Sequence, residues 1–418
     1  MRIITLKEDE FNAFARKHKY ESFYQTTEYA NFKNHSENYD IHYLGFTNNN
    51  DDLLGATMVI YKELFWGYKF AYAPRGFLID YTDSYLVNNI TTELKNLLHK
   101  QKFIFIKIDP PVIVNERDRD GNVIYNSETI NQILTILKRN DYEHLGFNLY
   151  NESILSRFNI YARLNNNTRA LYNSFDKDIK EKIKLGNQSA ITLEVDEDLD
   201  VDKFYDYIKR AYARQGKRYF KELIDSFSKE DHVKIFYAKL NTNKFTQNAN
   251  NLYNVELQKN EGLTKIIESG DSYKYDIQRV IDDKMESDRL LNIYKKHVVE
   301  STNLLRKYPD GISCGVALVV EQNMGVNVLV NYTNPIYAKY NVNEVMTYEI
   351  MKYFSNLNYK YINLGAVTGN FNPKAKFYSS LKNKMGFNSS VIEYIGEFNL
   401  IINPLMYKVY KYKEKKKK

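Results

Sequence analysis

The chain has 418 residues, of which 43% are hydrophobic and 27% charged, and its formal net charge is +7 at pH 7. This length exceeds what one hydrophobic core usually serves, so we expect two domains. No apolar run approaches the roughly 18 residues of a membrane span, and the N-terminus lacks the apolar core of a signal peptide. The single cysteine, Cys314, excludes an internal disulfide framework and favours a reducing cytoplasm.

The positive charge is concentrated at the C-terminus, where seven lysines lie within residues 407–418. Such a block is usually a solvated, disordered end. Anionic lipid attracts basic residues by about 1 kcal/mol each, and RNA phosphates would attract them too. We expect a solvated tail, with weak recruitment to the inner face of the membrane as a secondary role.

The first 150 residues alternate between strand and helix patterns. The predicted strands are 41–46, 53–61, 69–73 and 103–108, and the predicted helices are 86–99 and 128–139. A second round repeats this order. Its strands are 159–164, 191–195, 233–240, 312–321, 325–332 and 361–364, and its helices are 169–185, 201–213 and 344–354. The repetition predicts two similar α/β lobes.

Residues 241–303 interrupt the second round with a polar segment that holds no proline. Apolar residues recur at three- and four-residue steps over 277–298 and more loosely over 252–266, with a turn at 269–272. This pattern predicts an inserted antiparallel two-helix coiled-coil arm. Between 251 and 300, ten acidic residues stand against eight basic ones, which gives little support to an RNA-binding rod. The predicted domains are therefore a first lobe (1–150), a second lobe (151–240 and 304–418) and the arm (241–303).

Several catalytic motifs are absent or incomplete. Residues 311–315 spell G-x-S-x-G, but the nucleophile elbow of α/β-hydrolases needs a strand before the serine and a helix after it. A turn precedes Ser313 and strand formers follow, so we interpret Ser313 as the start of a strand. The seven histidines are scattered, and there is no Walker loop or dinucleotide-binding glycine motif. The glycine loop with which acetyltransferases bind acyl-CoA is missing as well.

Five sequence blocks, in order along the chain, resemble those of the FemABX aminoacyltransferases, which build peptidoglycan bridges from aminoacyl-tRNA. The blocks are Phe23-Tyr24-Gln25 with Tyr29 and Lys33, Pro74-Arg75-Gly76-Phe77 with Asp80-Tyr81, I-K-I-D-P at 106–110, Leu364-Gly365 with Gly369-Asn370-Phe371, and S-S-L-K-N-K-M-G-F-N-S-S-V-I-E-Y-I-G-E-F at 379–398. Any one block is weak, but the ordered set is specific. The resemblance implies an α/β (α+β) fold with two acetyltransferase-like (GNAT-like) lobes, and the arm lies where Fem A-type members carry a helical hairpin.

By this resemblance, Lys384 is the candidate catalytic residue. The implied reaction is aminolysis, in which a precursor amine attacks the ester carbonyl of aminoacyl-tRNA and displaces the 3′-terminal ribose oxygen. No paired base is needed, and a lysine ammonium aimed at the oxyanion would contribute roughly 3 kcal/mol. Without the resemblance, Lys384 would be interpreted as one of several surface lysines on a short helix.

The resemblance also implies five substrate-binding residues: Lys33, Arg75, Asp109, Arg214 and Tyr219. Lys33 matches the family lysine that contacts the precursor diphosphate, a task that suits a point charge. Arg75 lies in a Pro-Arg-Gly turn and would suit a phosphate or carboxylate. Asp109 ends an apolar strand, where a structural turn role is an equal alternative.

Two positions depart from the family pattern. The family pattern has three residues between its arginine and tyrosine, whereas this chain has four between Arg214 and Tyr219. Arg218, or neither arginine, is therefore the match to the family arginine. Asn383 stands where the family usually has a phenylalanine that is proposed to contact the tRNA end. This departure raises the alternatives of altered donor choice or reduced activity.

We therefore expect a cytoplasmic aminoacyltransferase, with aminoacyl-tRNA as co-substrate and no metal or other cofactor. Its acceptor would be a peptidoglycan precursor, either lipid-linked (lipid II) or nucleotide-linked (UDP-MurNAc-peptide). Association with itself or with related enzymes is a further expectation. Two alternatives stay open: a CoA-dependent N-acyltransferase, and a non-catalytic homologue that binds tRNA or precursor beside active relatives.

Overall fold

The computed structural model describes residues 1–150, 152, 154–229, 232–269 and 276–417. The elements in chain order are β1 (Arg2–Thr5), α1 (Glu8–Ala15), α2 (Thr27–Glu37), β2 (Asp40–Thr47), β3 (Leu53–Phe65), β4 (Tyr68–Ala73), α3 (Ser84–Lys100), β5 (Phe103–Ile108), β6 (Ile113–Arg117), β7 (Val123–Asn126), α4 (Ile130–Arg139), β8 (Tyr142–His144), β9 (Phe158–Arg163), α5 (Thr168–Ser174), α6 (Lys177–Gln188), β10 (Ile191–Asp196), α7 (Val201–Ile208), α8 (Lys217–Ser228), β11 (Val233–Leu240), α9 (Thr242–Ser269), α10 (Ile277–Lys307), β12 (Ile312–Gln322), β13 (Gly325–Thr333), a 3-10 helix (Pro335–Tyr340), α11 (Val342–Asn356), β14 (Tyr361–Ala366), α12 (Tyr378–Met385), β15 (Ser389–Tyr394), β16 (Phe398–Ile401) and α13 (Pro404–Lys417).

The first sheet has seven strands in the order β1-β2-β3-β4-β5-β16-β8, and β4–β5 is its parallel pair. Alternate side chains of β3 enter different cores, since Met58 packs with α1 and α2 while Val59 packs with α3 and α4. Strand β5 is buried along its whole length because both of its faces are covered. Its last residue therefore directs the following turn, at Asp109, into the interior.

The second sheet has nine strands in the order β10-β11-β12-β13-β14-β9-β15-β6-β7, and β13–β14 is its parallel pair. Helices α5, α6, α11 and α12 share one core with this sheet. On its other face, α7 and α8 share a core with α1 and α2 of the first lobe. The two sheets are thus joined by a common hydrophobic core, and the mixed α/β class predicted from the sequence is confirmed.

Three strands join the sheet of the other lobe. The hairpin β6–β7 lies in the first 150 residues but extends the second sheet, and β16 returns from the C-terminal part to pair with β5. The chain leaves the first sheet at Pro110-Pro111, where two consecutive residues without an amide donor cannot continue a ladder. The predicted domain boundaries remain a prediction, and the sheets cross the boundary at residue 150.

The long helices α9 and α10 occupy the segment predicted to form the arm, and they pack antiparallel. Thr242 Oγ1 donates to the Tyr308 carbonyl at 2.7 Å at the base, and Asn260 Nδ2 lies 3.1 Å from Ser287 Oγ further out. Buried Asn260 and Ser287 make this seam polar. Residues 270–272 of the predicted turn lie outside the described residues.

Two expectations are corrected. The C-terminal segment is not a disordered tail, because α13 packs Met406 and Tyr407 against Phe105 of β5. The predicted helix 169–185 is two helices, α5 and α6, because Phe175 turns into extended backbone and fills the core. Of the helices described, none combines the length and apolar character needed to cross a membrane.

Candidate active site

A cavity of about 590 Å³ lies where α12 and β14 face the loops of the first lobe. Six asparagines line it: Asn159, Asn327, Asn331, Asn343, Asn363 and Asn383. The charged side chains among its described lining residues are Arg75 and Lys384, and these lining residues include no carboxylate. The cavity therefore offers neutral hydrogen-bonding groups around two cations.

Lys384 is fixed from both ends. The buried side chains of Leu381 and Met385 anchor α12, and Lys384 Nζ donates to the carbonyl oxygens of Leu364 at 2.7 Å and Ala366 at 3.4 Å. Gly365 between them has φ +90°, a conformation that favours glycine and lets the two carbonyls point at the ammonium. Burial lowers the pKa of Lys384 to about 8. The ammonium is thus held by neutral acceptors and is ready to meet a negative charge.

Arg75 is buried and bound to Asp109. The Arg75 amide donates to Asp109 Oδ1 at 2.7 Å, and Arg75 Nη1 lies 3.5 Å from Asp109 Oδ2. Arg75 Nη2 also donates to the Ser156 carbonyl at 2.6 Å, and the guanidinium lies 4.5 Å from the ring centre of Tyr394. Burial raises the pKa of Asp109 to about 6, and the charge of Arg75 opposes that rise. Asp109 therefore positions Arg75 at the cavity wall.

A second cavity, of about 340 Å³, shares part of its wall with the first. The residues common to both are Tyr24, Arg75, Asn159, Asn327 and Asn363. Its own wall carries more tyrosine, and the hydroxyls of Tyr161 and Tyr394 lie 3.0 Å apart. We call the two cavities the lysine chamber and the tyrosine chamber. They meet at these shared residues, of which Arg75 is the charged one.

The sequence model of the FemAB family matches residues 6–415 of the chain. The chain belongs to the FemAB family. The chain is 22% identical over 420 residues to the aminoacyltransferase FemA of Staphylococcus aureus (strain bovine RF122 / ET3-1). The match covers 98% of this chain and 97% of FemA. The FemA protein of strain MW2 gives the same identity and coverage. The crystal structure of FemX, 19% identical, matches the fold with a TM-score of 0.73 over 98% of this chain and 99% of FemX. The predicted family and fold are confirmed.

Both glutamates of the C-terminal FemAB block make buried ion pairs. Glu393 accepts hydrogen bonds from Arg157 and, at 2.8 Å, from Asn115 Nδ2. Glu397 pairs with Lys107 at 2.6 Å. Sequence reasoning missed these partners, although a lysine inside the apolar strand β5 was a visible signal. The pairs fix the block that follows Lys384 to both lobes.

Asn383, at the position where the resemblance predicts a phenylalanine, is bound to α11. Its Nδ2 donates to Glu344 Oε1 at 2.6 Å, and its Oδ1 lies 3.3 Å from Asn343 Nδ2. Lys182 lies 3.7 Å from the same glutamate oxygen. The amide therefore ties α12 to α11 and α6, and Asn383 lines the lysine chamber.

Lys33 lies apart from the two chambers. It pairs with Glu37 one turn further along α2, and its ammonium lies 5.4 Å from the ring centre of Tyr39. Lys62 lies 4.1 Å from the same ring. Burial lowers the pKa of Lys33. Its predicted contact with a diphosphate stays a prediction.

Arg218 and Tyr219 join α8 to the helix that carries Lys33. Arg218 Nη2 donates to the His35 carbonyl at 2.6 Å, and the Tyr219 ring lies 4.9 Å from that of Phe32. Burial raises the pKa of Tyr219 to about 12. Arg214 is exposed before α8. The structure thus groups Lys33, Arg218 and Tyr219 around α2, and Arg75, Asp109 and Lys384 around the chambers.

Neither Ser313 nor Cys314 has a catalytic setting. Ser313 lies at the start of β12, as expected, and Cys314 is buried with its pKa raised to about 12 by that burial. Among the residues that the structure describes, no three His, Cys, Asp or Glu side chains are grouped to hold a metal ion.

Proposed function

We propose that this FemAB-family protein is an aminoacyltransferase that moves an amino acid from aminoacyl-tRNA to the stem-peptide or bridge amine of a peptidoglycan precursor, in the synthesis of cell-wall interpeptide bridges. One observation carries the proposal: the Lys384 ammonium, held by two carbonyls, lines a cavity whose described wall has no carboxylate. The relative from Staphylococcus aureus is named an aminoacyltransferase, which supports the same class of reaction.

The chemical step is aminolysis of an ester. The precursor amine attacks the ester carbonyl carbon, a nitrogen–carbon bond forms, and the bond to the ribose oxygen breaks. The amine loses one proton and the ribose oxygen gains one. Lys384, with its pKa lowered to about 8, is charged at neutral pH and would stabilise the oxyanion of the tetrahedral intermediate. One such donor is worth about 10²–10³ in rate, and the lowered pKa favours proton donation to the leaving oxygen.

The two chambers would bring the reactants together. Because the chambers meet at Arg75, donor and acceptor can enter by different sides and react beside Lys384. Asparagine carboxamides pair with peptide groups without adding charge. Arg75, positioned by Asp109, would bind a carboxylate or phosphate of a substrate. Lys33, Arg214 and Tyr219 would contact more distant parts of the precursor, the diphosphate in the case of Lys33.

The proposal uses aminoacyl-tRNA as co-substrate and no metal or dissociable cofactor. The precursor is lipid-linked or nucleotide-linked, and the protein would act in the cytoplasm with a peripheral contact to the inner face of the membrane. Association with related enzymes would extend a bridge by further residues.

The test is a transfer assay with purified protein, a set of aminoacyl-tRNAs and a peptidoglycan precursor. We expect a product heavier than the precursor by one or more amino-acid residues, identified by mass spectrometry. Acyl transfer from acetyl-CoA, with none from aminoacyl-tRNA, would contradict the proposal. Precursor binding without transfer from any aminoacyl-tRNA would identify a non-catalytic homologue.

A further inference from the structure

The turn between β3 and β4 exposes the only tryptophan of the chain. Trp66 is 71% exposed, and both Trp66 and Gly67 have positive φ, as in type I′ hairpin turns. Such turns favour Asn-Gly, so a tryptophan here is unfavourable in conformation and also leaves a large apolar surface in water. Two local costs at one residue indicate a function for that side chain.

Helix α13 lies beside this turn. Lys413 Nζ lies 4.0 Å from the ring centre of Phe65 and 4.5 Å from that of Trp66. The inner face of α13 is fixed by Met406 and Tyr407. The outer face presents a stripe at three- and four-residue steps. Its exposed residues are Leu405, Lys408, Tyr412, Lys415 and Lys416.

The C-terminal segment that contains α13 also holds most of the excess positive charge in the sequence. Residues 404–418 contain seven lysines and one glutamate, a net +6, while the whole chain has +7. The remaining residues therefore contribute only +1. A basic helix flanked by exposed Trp, Tyr and Leu side chains is the chemistry of a protein surface that lies on anionic lipid.

We propose that the outer face of α13 and Trp66 form a docking surface for an anionic membrane. The aromatic and leucine side chains enter the headgroup layer, and the lysines contact the anionic headgroups. Nucleic-acid phosphates would bind the lysines, but they would make no favourable contact with the apolar side chain of Leu405 beside them. Charge complementarity together with the exposed apolar side chains therefore favours lipid.

With this surface on the membrane, Trp66, Lys33 and Arg75 would lie at increasing distances from the lipid. Trp66 and Arg75 flank opposite ends of β4, whose six residues span roughly 20 Å of strand. Phe70, near the middle, contacts the Tyr39 ring beside Lys33 and Lys62. Resting on the proposed function with a lipid-linked acceptor, the order Trp66, Lys33, Arg75 matches lipid, diphosphate and peptide in that precursor.

The single tryptophan makes the test direct. With the full chain and no substrate, adding phosphatidylcholine vesicles that contain phosphatidylglycerol should shift Trp66 emission to the blue, and pure phosphatidylcholine should not. Brominated lipids should quench that emission. No shift with anionic vesicles, or a shift produced by tRNA without vesicles, overturns the proposal.

Two sets of substitutions distinguish binding by this surface from a general effect of the protein's net charge. Lys408→Glu, Lys415→Glu and Lys416→Glu together should weaken anionic-vesicle binding at least about tenfold. The matched control changes three other exposed lysines, Lys100, Lys138 and Lys296, to glutamate. Equal loss in the control contradicts the proposal. The α13 variant should retain transfer to a nucleotide-linked precursor while losing transfer to lipid-linked precursor in vesicles. Vesicle binding without transfer to any precursor refutes the proposed function alone.

Discussion

The side-chain nitrogen of Lys384 lies 2.7 Å from the carbonyl oxygen of Leu364, in a cavity whose described wall has no carboxylate. A carbonyl neutralises none of the lysine charge, so among the described residues the ammonium is partly buried and has no acidic partner. Desolvation without a counter-ion is the reason that the pKa of Lys384 falls to about 8. The same arrangement that prepares the lysine for an oxyanion therefore lowers the stability of the fold.

Replacing Lys384 by methionine should stabilise the protein at pH 7 by about 1–2 kcal/mol, since it removes the buried charge but leaves two carbonyls without a donor. The folded pKa, about 8, lies below the ordinary value of 10.5. Between pH 8 and pH 10.5 the unfolded state binds more protons at this lysine than the folded state does. The free energy of unfolding of the wild type therefore rises with pH in this range, and that of the variant does not show this rise. Urea unfolding should show a smaller difference in free energy of unfolding between variant and wild type at pH 10 than at pH 7. A constant difference would contradict this account.

Lys384→Arg should change the pH dependence of transfer. In the wild type, kcat/KM should fall above about pH 8, because the ammonium loses its proton there. A guanidinium stays charged, so the falling limb should move to higher pH, with a rate about tenfold lower from its different geometry. The measurement is a pH–rate profile under single-turnover conditions. If the rate falls over the same pH range in wild type and variant, the group that titrates there is not Lys384.

Asp109→Asn should destabilise the fold by about 3 kcal/mol or more, because Arg75 would remain buried without its partner. The control is Asp141→Asn, which breaks the exposed pair with Lys95 and should cost less than about 1 kcal/mol. Both costs can be measured by urea denaturation. Similar costs for the two variants would show that Asp109 does not support Arg75.

Asn383→Phe introduces the side chain that the family resemblance predicts at this position. It should lower the KM for aminoacyl-tRNA several-fold, because stacking on one base is worth about 1–3 kcal/mol. The variant should also lose about 1 kcal/mol of stability, since Glu344 loses the amide donor at 2.6 Å. Steady-state kinetics with varied aminoacyl-tRNA test the first effect. Loss of stability with an unchanged KM would show that this position no longer serves the donor.

Local pattern was sufficient for the secondary structure around the site. Runs rich in apolar and aromatic residues predicted β4, β5 and β14, and the family block placed α12 and Lys384. The pairing of strands was not predictable in the same way, because a strand pattern does not specify its partner. Strand β16 pairs with β5 across nearly 300 residues of sequence, and β6–β7 extends the other lobe.

The buried ion pairs of the site illustrate the same limit. Lys107 and Glu397 are 290 positions apart, and Arg157 and Glu393 are 236 apart. Nothing in the local sequence joins them. The C-terminal lysines were expected to be solvated and disordered because charge dominates their composition. The interleaved Met406, Tyr407 and Tyr410 instead form a helical face that packs on Phe105.

The most direct test of the central claim compares Lys384→Met with Lys382→Met, an exposed lysine on the same helix. Single-turnover transfer of a labelled amino acid from aminoacyl-tRNA to a peptidoglycan precursor should be at least about 100-fold slower in the Lys384 variant. The Lys382 variant should react at close to the wild-type rate. A Lys384 variant as fast as the wild type would contradict the account.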